Sequence, residues 1–159
     1  MIVHLRMDER LIHGQITTVW SKALDIDSIV CANDSAANDP IHKAALMTAK
    51  PAGKKVAIKS VDDAIKLLKD PRAENMKVLV LSGNPKDTLK IVKEFNIKEV
   101  NIANYMMKKS PNKIKIAKYC AVDEEDLNYL KELAEIAHVY SHMVPNYPIE
   151  ELGKKLKEM

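Results

Sequence analysis

The chain is predicted to fold as an α/β protein with an open, mostly parallel, twisted sheet of about seven strands and helices on both faces. Short apolar segments alternate along the chain with segments whose apolar residues recur at helical spacing. One short segment, residues 78–81, is apolar throughout, which is typical of a parallel strand covered on both faces. Together these two features favour a parallel sheet between two helical layers.

Seven strands are predicted from the short apolar segments and from the turn residues that bound them. They cover residues 1–5, 27–32, 55–59, 78–81, 99–102, 114–122 and 138–144. A loop rich in Lys, Ser, Pro and Asn over residues 106–113 separates the fifth strand from the sixth.

About six helices are predicted in the intervals and after the last strand. The first begins near Gly14, and the apolar residues that share one face of it are Ile16, Val19, Trp20, Ala23 and Leu24. Asp39 as a cap and Pro40 as the first helical residue predict the second helix. Ser60 followed by Asp63 resembles a capping box for the third.

The last three helices have similar starting signals. Residues 82–85, Ser-Gly-Asn-Pro, combine a cap with a leading proline. Four carboxylates at residues 123–126 complement the dipole at the start of the fifth helix. Pro148 is predicted to open a short final helix.

Length and composition indicate one ordinary globular domain spanning residues 1–159. Hydrophobic residues make up 47% and charged residues 30%, and no apolar segment is long enough to cross a bilayer. The amino-terminal residues lack the pattern of a secretion signal, so a cytoplasmic location is expected. The formal charge of +3, from 25 basic and 22 acidic residues, is too balanced to indicate a nucleic-acid partner.

Charged and polar residues are concentrated in the turn between the first strand and the first helix. This stretch reads Arg6-Met7-Asp8-Glu9-Arg10-Leu11-Ile12-His13-Gly14-Gln15. In an open α/β sheet such a turn lies where ligands bind, and the following helix directs its positive amino end toward them, which predicts an anion site. Later strand-to-helix turns share this rim. The polar residues expected to converge on one cleft are His13, Asn33, Ser82 and Asn104.

His13 is the candidate nucleophile of this turn. A neutral imidazole attacks phosphorus to form a phosphoramidate that stays reactive enough to pass the group on. Arg10 and the backbone N–H groups near Gly14 are the expected donors to the phosphoryl oxygens. Asp8 is predicted to orient the ring by accepting from one of its nitrogens. Arg6 either points into the cleft or pairs with an acid on the rim.

Neither a metal nor a nucleotide is indicated. Arginine and amides are expected to neutralise the charge of the bound group, and no acidic cluster is placed to hold Mg²⁺. The sequence also lacks a glycine-rich phosphate loop of the nucleotide-binding kind. We therefore expect no cofactor and no direct binding of ATP.

The stretch Asp8-x-Arg10-Leu11-Ile12-His13-Gly14-Gln15 closely resembles the active-site signature of the IIB subunits of the mannose/sorbose-type phosphotransferase system (PTS), in which bacteria phosphorylate sugars as they import them. The likeness extends through the segments at 33–34, 38–40 and 119–126 and covers essentially the full chain. It implies a IIB component acting as a protein-Npi-phosphohistidine-sugar phosphotransferase.

In this family the IIB subunit takes a phosphoryl group from a histidine of the IIA protein and gives it to a sugar held by the membrane subunits IIC and IID. The resemblance implies that His13 carries the group on Nδ1, with Arg10 and Asp8 as its catalytic neighbours. It also implies a cytoplasmic protein at the inner face of the membrane. The candidate phosphate ligands are Arg6, Gly14, Gln15 and Ser82.

Two other functions stay open at this level. A non-catalytic regulator would bind phosphate or a sugar phosphate at the same site without a covalent adduct. A small hydrolase would use His13 as a transient nucleophile and release inorganic phosphate unaided. The sequence does not identify the sugar, because the membrane partners of the family select it. A homodimer through a sheet edge or the carboxyl-terminal helix is also left open.

Overall fold

Nine β-strands and seven α-helices form within the residues that the computed structural model describes, which are 1–106 and 111–159. The strands are β1 Ile2–Asp8, β2 Ser28–Ala32, β3 Lys55–Lys59, β4 Val78–Ser82, β5 Glu99–Asn104, β6 Ile114–Ala117, β7 Cys120–Val122, β8 His138–Ser141 and β9 Glu150–Glu151. The helices are α1 Gly14–Ala23, α2 Asp34–Asn38, α3 Pro40–Thr48, α4 Val61–Lys69, α5 Pro85–Phe95, α6 Glu124–Ile136 and α7 Gly153–Lys157. In this described part of the chain no helix is long and apolar enough to span a membrane. Residues 107–110 of the predicted loop lie outside the described residues.

Seven of the strands form one sheet in the order β3-β2-β4-β1-β5-β8-β9. All neighbouring pairs are parallel except β8 with β9, which is antiparallel. The interior strand β4 is buried at every position, as its continuous apolar segment predicts. The predicted mostly parallel sheet of seven strands is confirmed.

The chain leaves β1 and β4 in opposite directions across the sheet. From β1 it crosses through α1 to β2, whereas from β4 it crosses through α5 to β5. Because crossovers between parallel strands are right-handed, these opposite directions place the helices on opposite faces. The neighbouring strands β1 and β4 therefore form a switch point, where a crevice opens at their carboxyl ends.

Each face of the sheet has its own hydrophobic core. Alternate residues of β4 divide between the two cores. Leu79 and Leu81 belong to the same cluster as Leu46 of α3. Val78 and Val80 belong to the cluster that contains the buried residues of α4, α5 and α6. The prediction of helices on both faces is confirmed.

The predicted strand 114–122 is wrong in length and in partner. It consists of two short antiparallel strands, β6 and β7, which form a separate sheet. Lys118 and Tyr119 form the turn between them, since Ala117 is paired with Cys120. The seventh strand of the main sheet is β9, which follows Pro148. The predicted short final helix forms later than expected, as α7, which begins at Gly153.

β1 is longer than predicted and reaches Asp8. Leu5 and Met7 point into the core beside α4, α5 and α6. Because side chains alternate along a strand, Arg6 and Asp8 point to the opposite face, where α1 lies. Two of the predicted site residues are therefore held by the sheet itself and not by the turn.

The two edges of the sheet differ from its interior. At one edge β9 has only two residues, and Tyr140 and Ser141 of β8 are paired with them. At the other edge β3 begins and ends with exposed lysines, Lys55 and Lys59.

Candidate active site

The turn between β1 and α1 lies at the switch point. The carboxyl ends of four strands are aligned at this rim, as predicted. The paired residues are Met7 with Ser82, Ala32 with Ser82, and Asp8 with Asn104. The neighbouring turn approaches so closely that a Cβ atom on Gly83 would lie 2.7 Å from Asn33 Nδ2, which explains why this position has a glycine.

The backbone of the turn contains two residues with positive φ. The N–H of Leu11 donates to the carbonyl of Asp8 at 2.9 Å, and Leu11 itself has a φ of 62°. Gly14 has a φ of 42°. A left-handed conformation is costly for leucine, and the burial of the Leu11 and Ile12 side chains in the core beside α3 offsets that cost. The two buried side chains leave the next residue, His13, at the surface.

His13 occupies the N-cap position of α1, yet its side chain does not cap the helix. The imidazole is exposed and makes no hydrogen bond to any residue within 1–106 or 111–159. Only the backbone is tied, because the His13 N–H donates to Thr17 Oγ1 at 2.8 Å. Both ring nitrogens therefore face solvent at the positive end of a helix.

Asp8 and Arg10 form a bidentate pair next to this histidine. Arg10 Nε donates to Asp8 Oδ1 at 2.9 Å, and Arg10 Nη2 donates to Asp8 Oδ2 at 2.8 Å. The Arg10 N–H also donates to Oδ1, at 3.0 Å. The Asp8 side chain is 1% exposed and that of Arg10 is 30% exposed. The hydrogen bond to Asp8 raises the pKa of Arg10, so its charge is permanent.

Arg6 is a second, buried arginine that contacts the carboxylate of Asp8. Its Nη2 lies 3.5 Å from Asp8 Oδ2, and its Nη1 donates to the carbonyl of His142 at 3.0 Å. The guanidinium lies 5.6 Å from the ring centroid of Trp20. Burial lowers the pKa of Arg6 to about 10, which still leaves it charged at neutral pH. Of the two alternatives for Arg6, pairing with an acid is the one that the structure contains.

Asp8 does not orient the ring of His13, contrary to the prediction. From the described residues, its carboxylate accepts hydrogen bonds only from arginines: two from the side chain of Arg10, one from the Arg10 backbone and one from Arg6. The reason is geometric, because an aspartate two residues before an arginine meets both its amide and its guanidinium. Asp8 therefore orients Arg10.

Three of the polar residues predicted to converge are used within the fold. Asn33 caps α2. Ser82 is fully buried and its hydroxyl lies 2.6 Å from that of Thr88, so the prediction of Ser82 as a phosphate ligand is wrong for its side chain. Asn104 is buried, and its carbonyl accepts from the N–H of Glu9 at 2.9 Å. Of the four, only the histidine is exposed.

The sequence did not predict that His142 and Met143, which follow β8, contact the arginine cluster and α1. The Trp20 indole donates to the carbonyl of Met143 at 2.8 Å, and the side chain of Trp20 is buried, as its apolar helix face predicts. Asn101 of β5 exchanges two hydrogen bonds with the backbone of His142, each at 2.9 Å. Met143 Sδ lies 3.6 Å from Arg6 Nη2 and 3.7 Å from Arg10 Nη2. His142 and Met143 are more than a hundred positions from the turn, and no local pattern indicates their contacts.

The Arg6–Asp8–Arg10 cluster carries a net positive charge, with Glu9 as the neighbouring carboxylate that acts on Arg10 from outside it. Two guanidinium groups share one carboxylate, and the amino end of α1 adds partial positive charge. Arg10 Nη1 makes no hydrogen bond to any described residue and has two N–H groups to offer. The amides of Gly14 and Gln15, as the first two helical residues, have no carbonyl partner within α1. The turn thus contains an exposed imidazole, a guanidinium with N–H groups to offer and two amides at the start of a helix.

The fold and this site define an α/β protein with a surface histidine and a buried arginine–aspartate cluster in the turn after its first strand. A comparison with protein families identifies it further. The family described as "PTS system sorbose subfamily IIB component" matches residues 2–157, and the chain belongs to that family. It is therefore a IIB component of a sugar phosphotransferase system.

Several relatives and solved structures are similar to most of the chain. A probable phosphotransferase enzyme IIB component from Streptococcus pyogenes is 37% identical over 152 residues, which is 92% of this chain and 93% of the relative. The sorbose-specific EIIB component of Lacticaseibacillus casei is 37% identical over 138 residues, or 86% of this chain and 83% of the relative. The crystal structure of the IIBSor domain of the sorbose permease from Klebsiella pneumoniae superposes with a TM-score of 0.90 at 31% identity, and the match covers 100% of this chain and 98% of that one.

Proposed function

We propose that this protein is a phosphocarrier that accepts a phosphoryl group on His13 from a phosphorylated IIA protein and transfers it to a sugar bound by the membrane subunits IIC and IID. The observation that supports this most directly is the free, exposed imidazole at the amino end of α1 beside the clamped guanidinium of Arg10. A relay needs a nucleophile that is not engaged by its own fold, and His13 meets that need.

The two transfers balance at the histidine. In the first, a nitrogen of His13 forms an N–P bond while the N–P bond of the donor histidine breaks, and the donor imidazole keeps the electron pair. In the second, that N–P bond breaks and the His13 nitrogen keeps the electron pair, while a sugar hydroxyl forms an O–P bond and gives its proton to water. Family resemblance favours Nδ1 as the nitrogen that is phosphorylated. The remaining ring nitrogen is free to hold a proton, which makes the imidazole a better leaving group.

The donors that surround the ring suit the charge of the travelling group. A phosphoryl group carries about two negative charges and three acceptor oxygens. Arg10 Nη1 and the amides of Gly14 and Gln15 are the groups that we propose to meet those oxygens. Arg6 is not proposed as a direct ligand, because it is buried and engaged by Asp8 and His142.

A carrier must keep its phosphoryl group until the acceptor arrives. The Asp8 carboxylate is fully engaged by two arginines, so it is not available as a base that would activate water. This favours a carrier over a hydrolase that uses the same histidine. The exposed position of the ring also lets two different partners reach it in turn, at the cytoplasmic face of the membrane where IIC and IID would lie.

The proposal is tested by intact-protein mass spectrometry. The parent, His13→Ala and His42→Ala are incubated with phosphoenolpyruvate, the general phosphotransferase proteins and a mannose-type IIA protein. We expect one acid-labile phosphoryl group on the parent and on His42→Ala, and none on His13→Ala. His42→Ala is the control, because it removes a half-exposed histidine from the first turn of another helix, α3.

Two outcomes would overturn it. Phosphorylation of His13→Ala at the parent rate would mean that another residue is the acceptor. No adduct on the parent, with the IIA protein shown to be phosphorylated and with saturable binding of inorganic phosphate to the parent, would indicate a non-catalytic regulator instead.

A further inference from the structure

α1 starts differently from the five helices α2 to α6. Five N-cap side chains accept a hydrogen bond from an amide inside their own helix; these are Asn33, Asp39, Ser60, Asn84 and Asp123. His13 has the same position in α1 and does not do so. A capping bond from its ring would occupy a ring nitrogen and one of the helix amides. Without that bond, the ring nitrogen and the helix amide both stay available. Another contact must then fix the backbone of His13.

Thr17 supplies that hold. In a capping box, a side chain three residues into the helix reaches back to the N–H of the N-cap residue. Here the hydroxyl of Thr17, one position further on, accepts from the His13 N–H at 2.8 Å. Half of the capping box is therefore present, and it binds the backbone of the histidine while leaving the ring free.

The hydroxyl of Thr17 is itself rigidly placed. Thr17 is buried, and Ser21 Oγ on the next helical turn donates to the Thr17 carbonyl at 2.7 Å. A β-branched side chain in a helix has few accessible χ1 rotamers. The adjacent Thr18 is only half-buried, and its hydroxyl donates to the Gly14 carbonyl at 3.2 Å.

We propose that Thr17 is a positioning residue for phosphoryl transfer, whose buried hydroxyl fixes the backbone of His13 so that the imidazole needs no capping bond of its own. This inference rests on the proposed function of His13. It assigns to Thr17 no contact with the phosphoryl group. Loss of the hydroxyl would let His13 rotate toward the helix amides, where its ring would compete with the phosphoryl oxygens for the same donors.

The test compares Thr17→Val, Thr17→Ser and Thr18→Val. Valine keeps the shape of threonine but cannot accept a hydrogen bond, serine keeps the acceptor, and Thr18→Val removes a hydroxyl from the same helix without touching His13. The rate of phosphorylation is measured in single turnovers at several concentrations of phosphorylated IIA. Amide hydrogen exchange of His13 is followed by NMR in the unphosphorylated protein, and thermal unfolding is recorded for each variant.

For Thr17→Val we expect faster exchange of the His13 amide and a maximal transfer rate lower by roughly tenfold, with an unchanged half-saturating concentration of the donor. Serine should restore both, and Thr18→Val should alter neither. If Thr17→Val does not fold, Thr17→Ala replaces it, because alanine fits the same space. A maximal rate within about twofold of the parent in the valine or alanine variant would overturn the inference. If the parent is never phosphorylated, the proposed function fails, and the exchange measurement separately shows whether Thr17 holds His13.

Discussion

The chain contains the pattern Asp-x-Arg twice, at Asp8–Arg10 and at Asp70–Arg72, and the two copies make the same local hydrogen bonds. In both, Oδ1 of the aspartate accepts from the backbone N–H and from Nε of the arginine, and Oδ2 accepts from Nη2. The distances of these bonds run from 2.7 Å to 3.1 Å in the two copies. The bidentate pair is therefore a property of the motif and not of its place in the fold.

Their surroundings are opposite. The side chain of Arg72 is 90% exposed and that of Asp70 is 28% exposed, whereas the corresponding values are 30% for Arg10 and 1% for Asp8. Asp8 is also held by the buried Arg6. An exposed pair is screened and mobile, but a pair whose aspartate is buried has one geometry. A common surface motif thus becomes part of a site where the sheet immobilises its acid.

The largest effect is expected from replacing each arginine by lysine. Lysine cannot form the bidentate pair, so Arg10→Lys should lower the rate of phosphorylation by about a hundredfold. Arg72→Lys, with the same starting geometry, should leave that rate unchanged. The measurement is the rate at which phosphorylated IIA labels each variant. Equal rates for the two variants would show that burial of the pair has no role in transfer.

Removing the charge of each aspartate should lower the free energy of unfolding by different amounts in the two copies of the motif. Asp8→Asn leaves two guanidinium groups sharing no carboxylate at the edge of the core, and we expect it to lower the free energy of unfolding by about 3 kcal/mol. For Asp70→Asn we expect a much smaller loss, because solvent screens that exposed pair. Urea unfolding of both variants gives the comparison. A loss of stability in Asp70→Asn as large as that in Asp8→Asn would contradict it.

The smallest expected effect is on the free energy of unfolding at low pH, and it comes from the exposed Asp70–Arg72 pair. Hydrogen bonds from Arg72 lower the pKa of Asp70 from 3.8 to about 2. Since the pKa is lower in the folded state, ionised Asp70 contributes its stability above pH 3.8, and that contribution disappears as the pH falls through about 2. An NMR titration of the Asp70 carboxyl should give the lowered value, and Arg72→Ala should return it toward the ordinary one. An ordinary pKa in the parent would mean that the pair does not persist in solution.

Much of the fold follows from local patterns. The alternation of apolar and helical segments predicts the parallel strands. Both a strand buried on two faces and an amphipathic helix have patterns that can be read from residues close together in the sequence. The errors have physical reasons. The hairpin of β6 and β7 turns at Lys118-Tyr119, a pair without glycine, proline or asparagine to signal it. β9 has two exposed glutamates, which carry no strand signal at all.

The site was predictable only where it is contiguous. His13, Arg10 and Gly14 lie within five positions of one another, and the sequence places them at the amino end of a helix. The partner of Asp8 was misjudged because the choice between the ring and the guanidinium depends on backbone geometry. The contacts of Trp20 with Met143 depend on a chain that returns after more than a hundred residues. Such contacts depend on tertiary structure, and a one-dimensional pattern holds no record of them.

The two edges of the sheet bear on how copies of the protein meet at high concentration. An unprotected edge strand would offer its free N–H and C=O groups to a neighbour and allow sheets to grow from molecule to molecule. At β3 a second copy would bring lysines against Lys55 and Lys59, and at β9 it would find only two residues to pair with. Growth by strand addition is disfavoured at both ends, which suits a carrier that must meet its partners one at a time.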